Sequence, residues 1–151
     1  MTVDIRQLQP EDREAWQGLA AGYKAFYNTP TSEAEYAQAW RRLLAGDGAH
    51  ALGARLDGQL VGITHYLFHT STWAPAACYL QDLFTAPQAR GQGVAGALIE
   101  AVAAAAREAG CTRCYWLTQE TNTTARRLYD RVARFKGFIR YDYDLQAAPS
   151  R

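Results

Sequence analysis

The segment Ala89–Gly96 reads ARGQGVAG and carries the residues best suited to binding a phosphate. Gly91, Gly93 and Gly96 have no side chains, so the backbone N–H groups around them are left uncovered. A helix is predicted to begin in this segment, and N–H groups at a helix N-terminus attract phosphates. Arg90 adds positive charge at the rim. The segment is therefore predicted to bind a phosphate, the alternative being a tight turn that only begins a helix.

The same glycines also fit the dinucleotide fingerprint G-x-G-x-x-G, in which an acidic residue follows about 20 positions later. Glu120, at the end of the next predicted strand, would be that residue. Three features disfavour this interpretation. TAPQAR separates the loop from its strand, Glu120 lies 24 residues after Gly96, and the unit follows two helices and a hairpin instead of opening a doubly wound sheet. A dinucleotide-binding domain is kept as a remote alternative.

Three cysteines, Cys78, Cys111 and Cys114, are candidates for redox or metal chemistry. An odd number of cysteines without a secretion signal disfavours a disulfide framework, so all three are expected to be reduced. Cys111 and Cys114 form a C-x-x-C pair, but a structural zinc site needs four ligands and there is no second C-x-x-C. No metal is predicted.

The overall composition is that of an ordinary soluble globular chain. Its 151 residues are 48% hydrophobic and 21% charged, with a mean hydropathy of -0.32. This length suits a single domain over residues 1–151. The formal net charge of +1 gives no general attraction to nucleic acid or to a membrane surface. Because neither a signal peptide nor an apolar stretch of roughly 18 residues is present, a cytoplasmic location is expected.

Hydrophobic periodicity predicts a strand over VDIRQL followed by two helices. The first helix runs from Glu11 to about Tyr27, and Thr31 or Ser32 caps the second, which AGDGA ends. The apolar face of the first helix is formed by Trp16, Leu19, Ala20, Tyr23 and Phe26. The apolar face of the second is formed by Tyr36, Trp40, Leu43 and Leu44.

The rest of the chain alternates strands and helices. HALGARL and QLVGITHYLF flank Asp57-Gly58 and predict a hairpin, and AACYLQDLFT is the best candidate for a central strand. A helix follows over about residues 93–109 and ends at Gly110. CYWLTQ is a further strand, Thr121 or Asn122 caps a short helix, and GFIRYDYDL is a last, alternating strand. The order β-α-α-β-β-β-α-β-α-β predicts a mixed α/β (α+β) sheet.

The stretch QDLFTAPQARGQGVAGALIE resembles motif A of the GCN5-related N-acetyltransferase (GNAT) superfamily. The loop pattern of that motif, Q/R-x-x-G-x-G/A, is met by Arg90, Gly93 and Ala95. The element order is similar to that of the family, and YLQDLF together with YWLTQETNTTARRLYDRV resembles its polyamine and histone acetyltransferase-like branch, which includes enzymes acting on free amino acids. The resemblance implies a mostly antiparallel mixed sheet with a splayed parallel strand pair. It also implies an N-acetyltransferase that uses acetyl-CoA and no metal.

The resemblance further implies where acetyl-CoA binds. In the family, the strand corresponding to LQDLFT splays from its neighbour at a bulge, so that its backbone pairs with the pantetheine arm. An N–H group in the splay can also stabilise the developing oxyanion. The implied cofactor-binding residues are Leu83, Phe84, Thr85, Arg90, Gly91, Gln92, Gly93, Val94, Ala95, Gly96, Asn122 and Ala125.

Tyr129 aligns with the family tyrosine that protonates the departing coenzyme A thiolate, a task that suits a hydroxyl with a pKa of about 10. Its alternative role is a buried aromatic on a helix, and that of Asn122 is a helix N-cap. The resemblance thus implies direct attack of a primary amine in a ternary complex, with Tyr129 as the general acid. A second hypothesis is an acetyl-CoA-binding sensor or interaction module without turnover.

The general base departs from the family pattern. Polyamine acetyltransferases have a glutamate where this sequence has Gln81, and an amide cannot take a proton. Asp82 is not a simple replacement, because adjacent side chains on a strand point to opposite faces. His65, Glu120 and Asp82, in that order, are candidates for a base acting through water, each with a structural alternative. The missing carboxylate also weakens the case for a polycationic acceptor.

In this family the acceptor site is formed mostly by the first two helices, their connection and the segment corresponding to HTSTWAP. An apolar slot is expected from Tyr23, Phe26, Tyr27 and Trp73, and Glu33 or Glu35 can meet an ammonium group. The favoured alternative is core packing for Phe26 and a place in the first turn of a helix for both glutamates. The candidate acceptor residues are Tyr27, Gln81, Asp82 and Glu120. The expected acceptor is a primary amine of a polyamine, an amino acid or a peptide lysine. The family often dimerises through its C-terminal strand, and FIRYDYDL is consistent with a homodimer.

Overall fold

The computed structural model describes residues 2–146, which fall into two compact units on either side of the Leu117–Thr118 bond. The first unit contains a sheet of five strands in the order β1-β2-β3-β4-β5. The strands are β1 (Asp4–Gln7), β2 (His50–Leu56), β3 (Gln59–His69), β4 (Ala77–Thr85) and β5 (Arg113–Tyr115). Neighbours pair antiparallel except β4 and β5, which are parallel. The predicted mixed α/β fold class is confirmed. A single domain over 1–151 stays a prediction, and Met1 and residues 147–151 lie outside the described part.

Three helices belong to the first unit and one to the second. They are α1 (Arg13–Phe26), α2 (Glu33–Ala45), α3 (Val94–Glu108) and, in the second unit, α4 (Thr123–Val132). A 3-10 turn at Pro10–Asp12 precedes α1, so the α-helix begins two residues later than predicted. Ser32 caps α2 in a reciprocal capping box with Glu35, and Gly46 ends it at a φ of 63°.

The core of the first unit consists of two apolar clusters that attach the helices to the sheet. Val94 and Leu98 of α3 pack with residues of β2 and β3 in one cluster, and Trp16 and Trp40 pack with Ile63 in the other. Gly62 contacts α3 while its neighbour Ile63 contacts α1, as alternating side chains on a strand require. The sheet therefore holds α1 and α3 in fixed positions beside β4.

The predicted hairpin is confirmed. Asp57 and Gly58 connect β2 to β3 with φ values of 50° and 81°, the left-handed pair that a two-residue hairpin turn needs. Gly110 follows α3 with a φ of 85°, as predicted for a residue that ends a helix. The strand predicted over residues 114–119 is shorter than expected, because β5 ends at Tyr115.

The prediction of a last strand over GFIRYDYDL is wrong. Residues 134–144 have no regular secondary structure, although their polar and apolar side chains alternate. Ile139 and Tyr141 are 75% and 86% exposed. A strand forms only when its backbone groups are paired with a neighbouring strand, and among residues 2–146 the sheet contains only β1 to β5. Alternation showed that the segment can be a strand, but not that a partner is present.

Candidate active site

The predicted phosphate loop connects β4 to α3. A 3-10 turn at Pro87–Ala89 follows β4, and after it Gly91 and Gly93 adopt φ values of 79° and 81°. Glycine reaches such positive values without steric conflict, whereas most other residues do not. Gly93 is the N-cap of α3 and provides no side-chain cap. The N–H groups in the first turn of α3 therefore have no capping side chain and are available to an anionic ligand.

The start of α3 is held against the sheet by close packing at Gly62. A methyl group on Gly62 would lie 2.6 Å from Cγ1 of Val94 and 3.1 Å from Cδ1 of Leu98. Both side chains are buried in the core. Val94 was a predicted cofactor residue, and its burial means that only its backbone can contact a ligand. Arg90 and Gln92 are exposed and can reach one with their side chains.

One edge of β4 is open over most of its length. The parallel pairing with β5 extends only from Ala77 to Tyr79, so within the first unit Leu80–Thr85 has a β-strand partner on the β3 side alone. The predicted splay of the parallel pair is therefore present. The side chains of Leu83 and Phe84 pack into different apolar clusters, one on each face of the sheet. In the antiparallel pair with β3, the backbone N–H and C=O groups of alternate β4 residues point to the open edge.

The side chain of Thr85 gives a further sign of a missing partner. Its hydroxyl oxygen is buried and makes no hydrogen bond to any atom of the described chain. Buried hydroxyls are nearly always hydrogen-bonded, so an unsatisfied one at the end of an open strand edge indicates a ligand contact. A cavity of about 560 Å³ adjoins this end of β4. It is lined by α1 residues that include Gly22, and by Phe84, Pro87 and Arg90.

A β-bulge at Gln81 changes the geometry expected for the catalytic strand. His65 is paired with Asp82 and Tyr66 with Leu80, which leaves Gln81 as the extra residue on β4. Side chains do not alternate simply through a bulge. The hydroxyl of Thr64 donates a hydrogen bond of 2.8 Å to the carbonyl oxygen of Asp82 and so fixes the main chain beside the bulge. Gln81 is exposed.

A hydrogen-bonded chain of side chains lies between α1 and the bulge. Trp16 Nε1 donates to His65 Nε2 at 2.9 Å, and His65 Nδ1 is 2.9 Å from Oδ2 of Asp82. The hydroxyl of Tyr23 donates to the same carboxylate. The side chains of His65 and Asp82 are only 14% and 26% exposed. The first unit therefore brings together two of the three predicted base candidates.

The protonation of this group follows from its contacts. Burial alone would raise the pKa of Asp82, but the hydrogen bonds from His65 and Tyr23 and the positive charge of Lys24 lower it below its ordinary value. Burial, and next the negative charge of Asp82, raise the pKa of Tyr23 and of Tyr27. Asp82 is thus an anion at neutral pH, and both tyrosines remain neutral hydrogen-bond donors.

The predicted acceptor residues have different surroundings. The rings of Tyr23 and Tyr27 lie 4.9 Å apart, and Phe26 contacts the ring of Tyr27, so these three aromatic side chains do form a group. Trp73 is 95% exposed. The two glutamates have structural partners, in agreement with their alternative role. Glu33 accepts a hydrogen bond from Gln17 and lies 3.8 Å from Arg13, and Glu35 closes the capping box of α2.

Sequence reasoning missed the part that Trp16 and Thr64 play at this site. Trp16 was assigned to a helix face, which is correct, because it is buried in the core. Its N–H group, however, needed an acceptor, and a buried tryptophan usually has one. Residues 49 positions apart form that bond, so periodicity within one element contained no signal for it.

The second unit holds the remaining predicted residues and is described by itself. Asn122 is at the N-cap position of α4, but its side chain donates to the hydroxyl of Thr118 at 3.2 Å instead of capping the helix. Arg126 donates to the carbonyl oxygen of Glu120 at 2.8 Å, which engages the backbone of that residue and not its carboxylate. Tyr129 and Ala125 lie on α4.

The cysteines and histidines do not assemble into a metal site in residues 2–146, where no group of three or more His, Cys, Asp or Glu side chains is arranged to hold an ion. All three cysteines are free thiols. Cys78 and Cys114 occupy paired positions on β4 and β5. Among the described helices, none has both the length and the hydrophobicity that a bilayer crossing requires.

Within the first unit, the open strand edge, the unsatisfied threonine and the partly buried carboxylate of Asp82 all belong to β4, and the glycine loop follows that strand at a helix N-terminus. That combination is expected of an acyltransferase that uses an elongated, phosphate-bearing coenzyme. The family model described as acetyltransferase (GNAT) family matches residues 6–135, and the chain belongs to that family.

Two relatives support the same assignment in sequence. The chain is 32% identical over 136 residues to D-amino-acid N-acetyltransferase HPA3 of Saccharomyces cerevisiae, covering 87% of this chain and 84% of that protein. It is 32% identical over 111 residues to aminoglycoside N(6')-acetyltransferase type 1 of Stenotrophomonas maltophilia, covering 71% of this chain and 69% of that protein. The protein is therefore an acetyl-CoA-dependent N-acetyltransferase that acts on an amine.

Solved structures share the fold. Ribosomal-protein-alanine N-acetyltransferase from Brucella melitensis biovar Abortus 2308 has a TM-score of 0.81 at 26% identity, over 95% of this chain and 100% of that one. The aminoglycoside acetyltransferase AAC(6')-Iy, solved with the bisubstrate analog CoA-S-monomethyl-acetylneamine, has a TM-score of 0.84 at 20% identity, over 97% of this chain and 100% of that one. At 20% identity, the similarity to AAC(6')-Iy shows only that the two chains share a fold.

Proposed function

We propose that this enzyme binds acetyl-CoA along the open edge of β4 and the loop Arg90–Gly96, and that it transfers the acetyl group to the primary amine of a small molecule. The observation that carries the proposal is the edge Leu80–Thr85, which lacks a β-strand partner on one side within the first unit and ends at the unsatisfied Thr85 hydroxyl. The amide groups of a pantetheine arm can pair with such an edge as an added strand. The N-terminus of α3 provides N–H groups for the pyrophosphate.

Residues of the chain then have to orient the two reactants and to accept and donate protons during the transfer. Acetyl-CoA supplies an activated thioester, and a backbone N–H on the β4 edge can polarise its carbonyl group. Tyr129 is the proposed general acid for the departing thiolate, with Asn122 and Ala125 as further contacts to the pantetheine. Hydrogen bonding to Cys114 and burial raise the pKa of the Cys78 thiol, so it is a poor nucleophile. Direct attack by the amine in a ternary complex, without an acyl-enzyme, is the proposed route.

Asp82 is the proposed anchor for the acceptor. It is an anionic carboxylate beside the aromatic rings of Tyr23 and Tyr27, a combination that favours an ammonium group. Gln81, exposed at the bulge, and Glu120 complete the proposed acceptor residues. Relatives named as acetyltransferases of D-amino acids, thialysine and aminoglycosides all act on amines. Amino acids, polyamines and peptide lysines are therefore the classes to test.

We also propose that the enzyme is a cytoplasmic homodimer formed through its C-terminal segment, residues 138–145. The segment alternates polar and apolar side chains, and it exposes Ile139, Tyr141 and Leu145 although its pattern is that of a strand. A second copy can supply the missing strand partner. Light scattering after size exclusion is expected to show a dimer that Ile139→Glu converts to a monomer. A monomeric wild-type protein would contradict this part of the proposal.

The test of activity is the release of coenzyme A thiol from acetyl-CoA, corrected for the three cysteine thiols of the protein. The acceptors are spermidine, D- and L-amino acids, an aminoglycoside and a lysine peptide. We expect turnover with one class and a loss of kcat of about 10²- to 10⁴-fold in Tyr129→Phe, as for removal of a general acid. Tyr36→Phe, which keeps its ring and lies outside the site, is the matched control. Binding of acetyl-CoA without turnover of any amine would contradict the proposal.

Thr85→Val tests the cofactor contact separately. Valine has the shape of threonine without the hydroxyl, so removing a buried unsatisfied oxygen is expected to stabilise the ligand-free protein by roughly 1 kcal/mol. Loss of the same hydroxyl is expected to weaken acetyl-CoA binding about fivefold, as measured by calorimetry. Thr112→Val, at an exposed position, is the control. Unchanged affinity in Thr85→Val would show that this hydroxyl does not contact the cofactor.

A further inference from the structure

The hydrogen bonds that link Trp16, His65 and Asp82 also determine which ring nitrogen of His65 carries a proton. The indole N–H of Trp16 can only donate a hydrogen bond, and it points at Nε2 of His65 over 2.9 Å. Nε2 must therefore carry the lone pair, because a proton there would place two N–H groups against each other. In the neutral imidazole the proton is then on Nδ1.

The proton on Nδ1 has one evident acceptor. Oδ2 of Asp82 lies 2.9 Å away, so His65 donates to the carboxylate. The other titratable groups near this carboxylate come from α1, namely the hydroxyls of Tyr23 and Tyr27 and the ammonium group of Lys24. Tyr23 donates to Asp82 as well, and Lys24 adds a positive charge near the carboxylate.

The indole is not free to turn away from His65. Trp16 is 1% exposed, and its ring lies 5.1 Å from that of Trp40 and 6.4 Å from that of Tyr36. Rotation of a large aromatic side chain in such a core would require its neighbours to move. The hydrogen bond to His65 is therefore a fixed feature of the fold, and His65 in turn is held in one orientation.

We infer that Trp16 and His65 are positioning residues for Asp82: they fix the imidazole with its proton on Nδ1, so that His65 holds the Asp82 carboxylate in place and does not itself accept a proton from the amine. This inference rests on the proposed function in assigning the amine to Asp82. It removes His65 from the candidates for the general base, where the sequence had placed it first. Thr64 fixes the main chain of Asp82, and His65 fixes its side chain.

The first experiment needs no turnover. Long-range proton–nitrogen NMR on the full chain with ¹⁵N-labelled histidine reports which ring nitrogen of His65 is protonated near neutral pH. We expect a proton on Nδ1 and none on Nε2. In Trp16→Phe, which removes the donor and keeps an aromatic ring, Nδ1 is expected to keep its proton against Asp82 while Nε2 becomes free to accept one. A proton on Nε2 in the wild-type protein would overturn the inference, whatever reaction the enzyme performs.

The second experiment separates positioning from folding, using the amine that gives the highest turnover in the panel above. His65→Leu removes the donor to Asp82, whereas His65→Asn places an amide N–H near the position of Nδ1. We expect His65→Leu to raise KM for the amine about tenfold or more, with little change in kcat or in KM for acetyl-CoA. His65→Asn is expected to recover most of that loss.

Both substitutions remove the acceptor of Trp16, so a merely structural role would lower their unfolding free energies alike and would not separate their KM values. Equal KM values for His65→Leu and His65→Asn would therefore refute the positioning role. Absence of turnover in the wild-type enzyme would instead refute the proposed function and leave the NMR result to decide on the tautomer.

Discussion

Replacement of Gly62 by alanine tests how the sheet positions the phosphate loop. The new methyl carbon would lie 2.6 Å from Cγ1 of Val94 and 3.1 Å from Cδ1 of Leu98. Carbon atoms in contact prefer a separation of about 3.5–4.0 Å, so the contact with Val94 is roughly 1 Å too short. Leucine can change its rotamer, but a valine in a helix is held in a single one. The first turn of α3 must therefore move away from β3.

The magnitude follows from this enforced shift. Overpacking a core by one methyl group typically lowers stability by roughly 1–3 kcal/mol. A smaller opposite effect, about 0.4–1 kcal/mol, comes from the reduced freedom of the unfolded chain when glycine becomes alanine. We expect a net loss of about 1–2 kcal/mol. Because Val94 directly follows the N-cap Gly93, we also expect acetyl-CoA to bind about tenfold more weakly.

Urea unfolding followed by tryptophan fluorescence, together with calorimetric titration of acetyl-CoA, measures both effects. Val94→Ala in the Gly62→Ala background removes the clashing methyl groups and should be less harmful there than in the wild-type protein. Gly18→Ala is the control for stability, since Gly18 is exposed in α1 with open space around it, and it should gain about 0.5–1 kcal/mol. A Gly62→Ala variant as stable as the wild type, or additive losses with Val94→Ala, would refute the reasoning.

Further predictions concern stability. Ser32→Ala removes the cap of α2 and should lower the free energy of urea unfolding by about 1 kcal/mol, whereas equal stability would exclude a contribution from the cap. Asp12→Ala leaves the buried Arg55, now 2.7 Å from the carboxylate, without its partner and should cost about 3 kcal/mol. Burial alone would raise the pKa of Asp12, but the Gln9 N–H and Arg55 lower it below 3.8. Its contribution is therefore full above about pH 4 and is lost as the pH falls through the lowered pKa. Unfolding measured across this range should show a shallower acid dependence in Asp12→Asn, and an unchanged dependence would contradict this assignment.

Features set by neighbouring residues were predictable from the sequence. The Asp57-Gly58 turn depends on two φ values that these residue types adopt readily, and the cap of α2 depends on a side chain three positions from its partner. The glycine turn that begins α3 is of the same kind, because Gly91 and Gly93 readily adopt the positive φ values that it needs. For these features, the types and spacing of neighbouring residues are enough to predict the local structure.

Features that depend on contacts between distant segments were not predictable. The bulge at Gln81 depends on the register between β3 and β4, so it was implied by the resemblance to a family but not by the period of two along the strand. The bond from Trp16 to His65 requires α1 to lie across β3. The strand predicted over residues 138–145 is the opposite case. Its polar and apolar side chains do alternate, but a strand also needs a partner strand with which to pair. The resemblance to a family predicted where the site lies, and the contacts that hold Asp82 were visible only in the structure.

The edge of β4 that lacks a strand partner in the first unit has a further consequence under the proposed binding of acetyl-CoA. Unpaired backbone donors and acceptors on a strand are a template for any extended chain, including a misfolded copy of the same protein. A ligand that occupies the edge competes with such contacts and stabilises the native state by mass action, by about 2.7 kcal/mol at a concentration one hundred times its Kd. If acetyl-CoA binds along this edge as proposed, we expect the enzyme to aggregate more readily, and to have a shorter lifetime in solution, as the concentration of its cosubstrate falls.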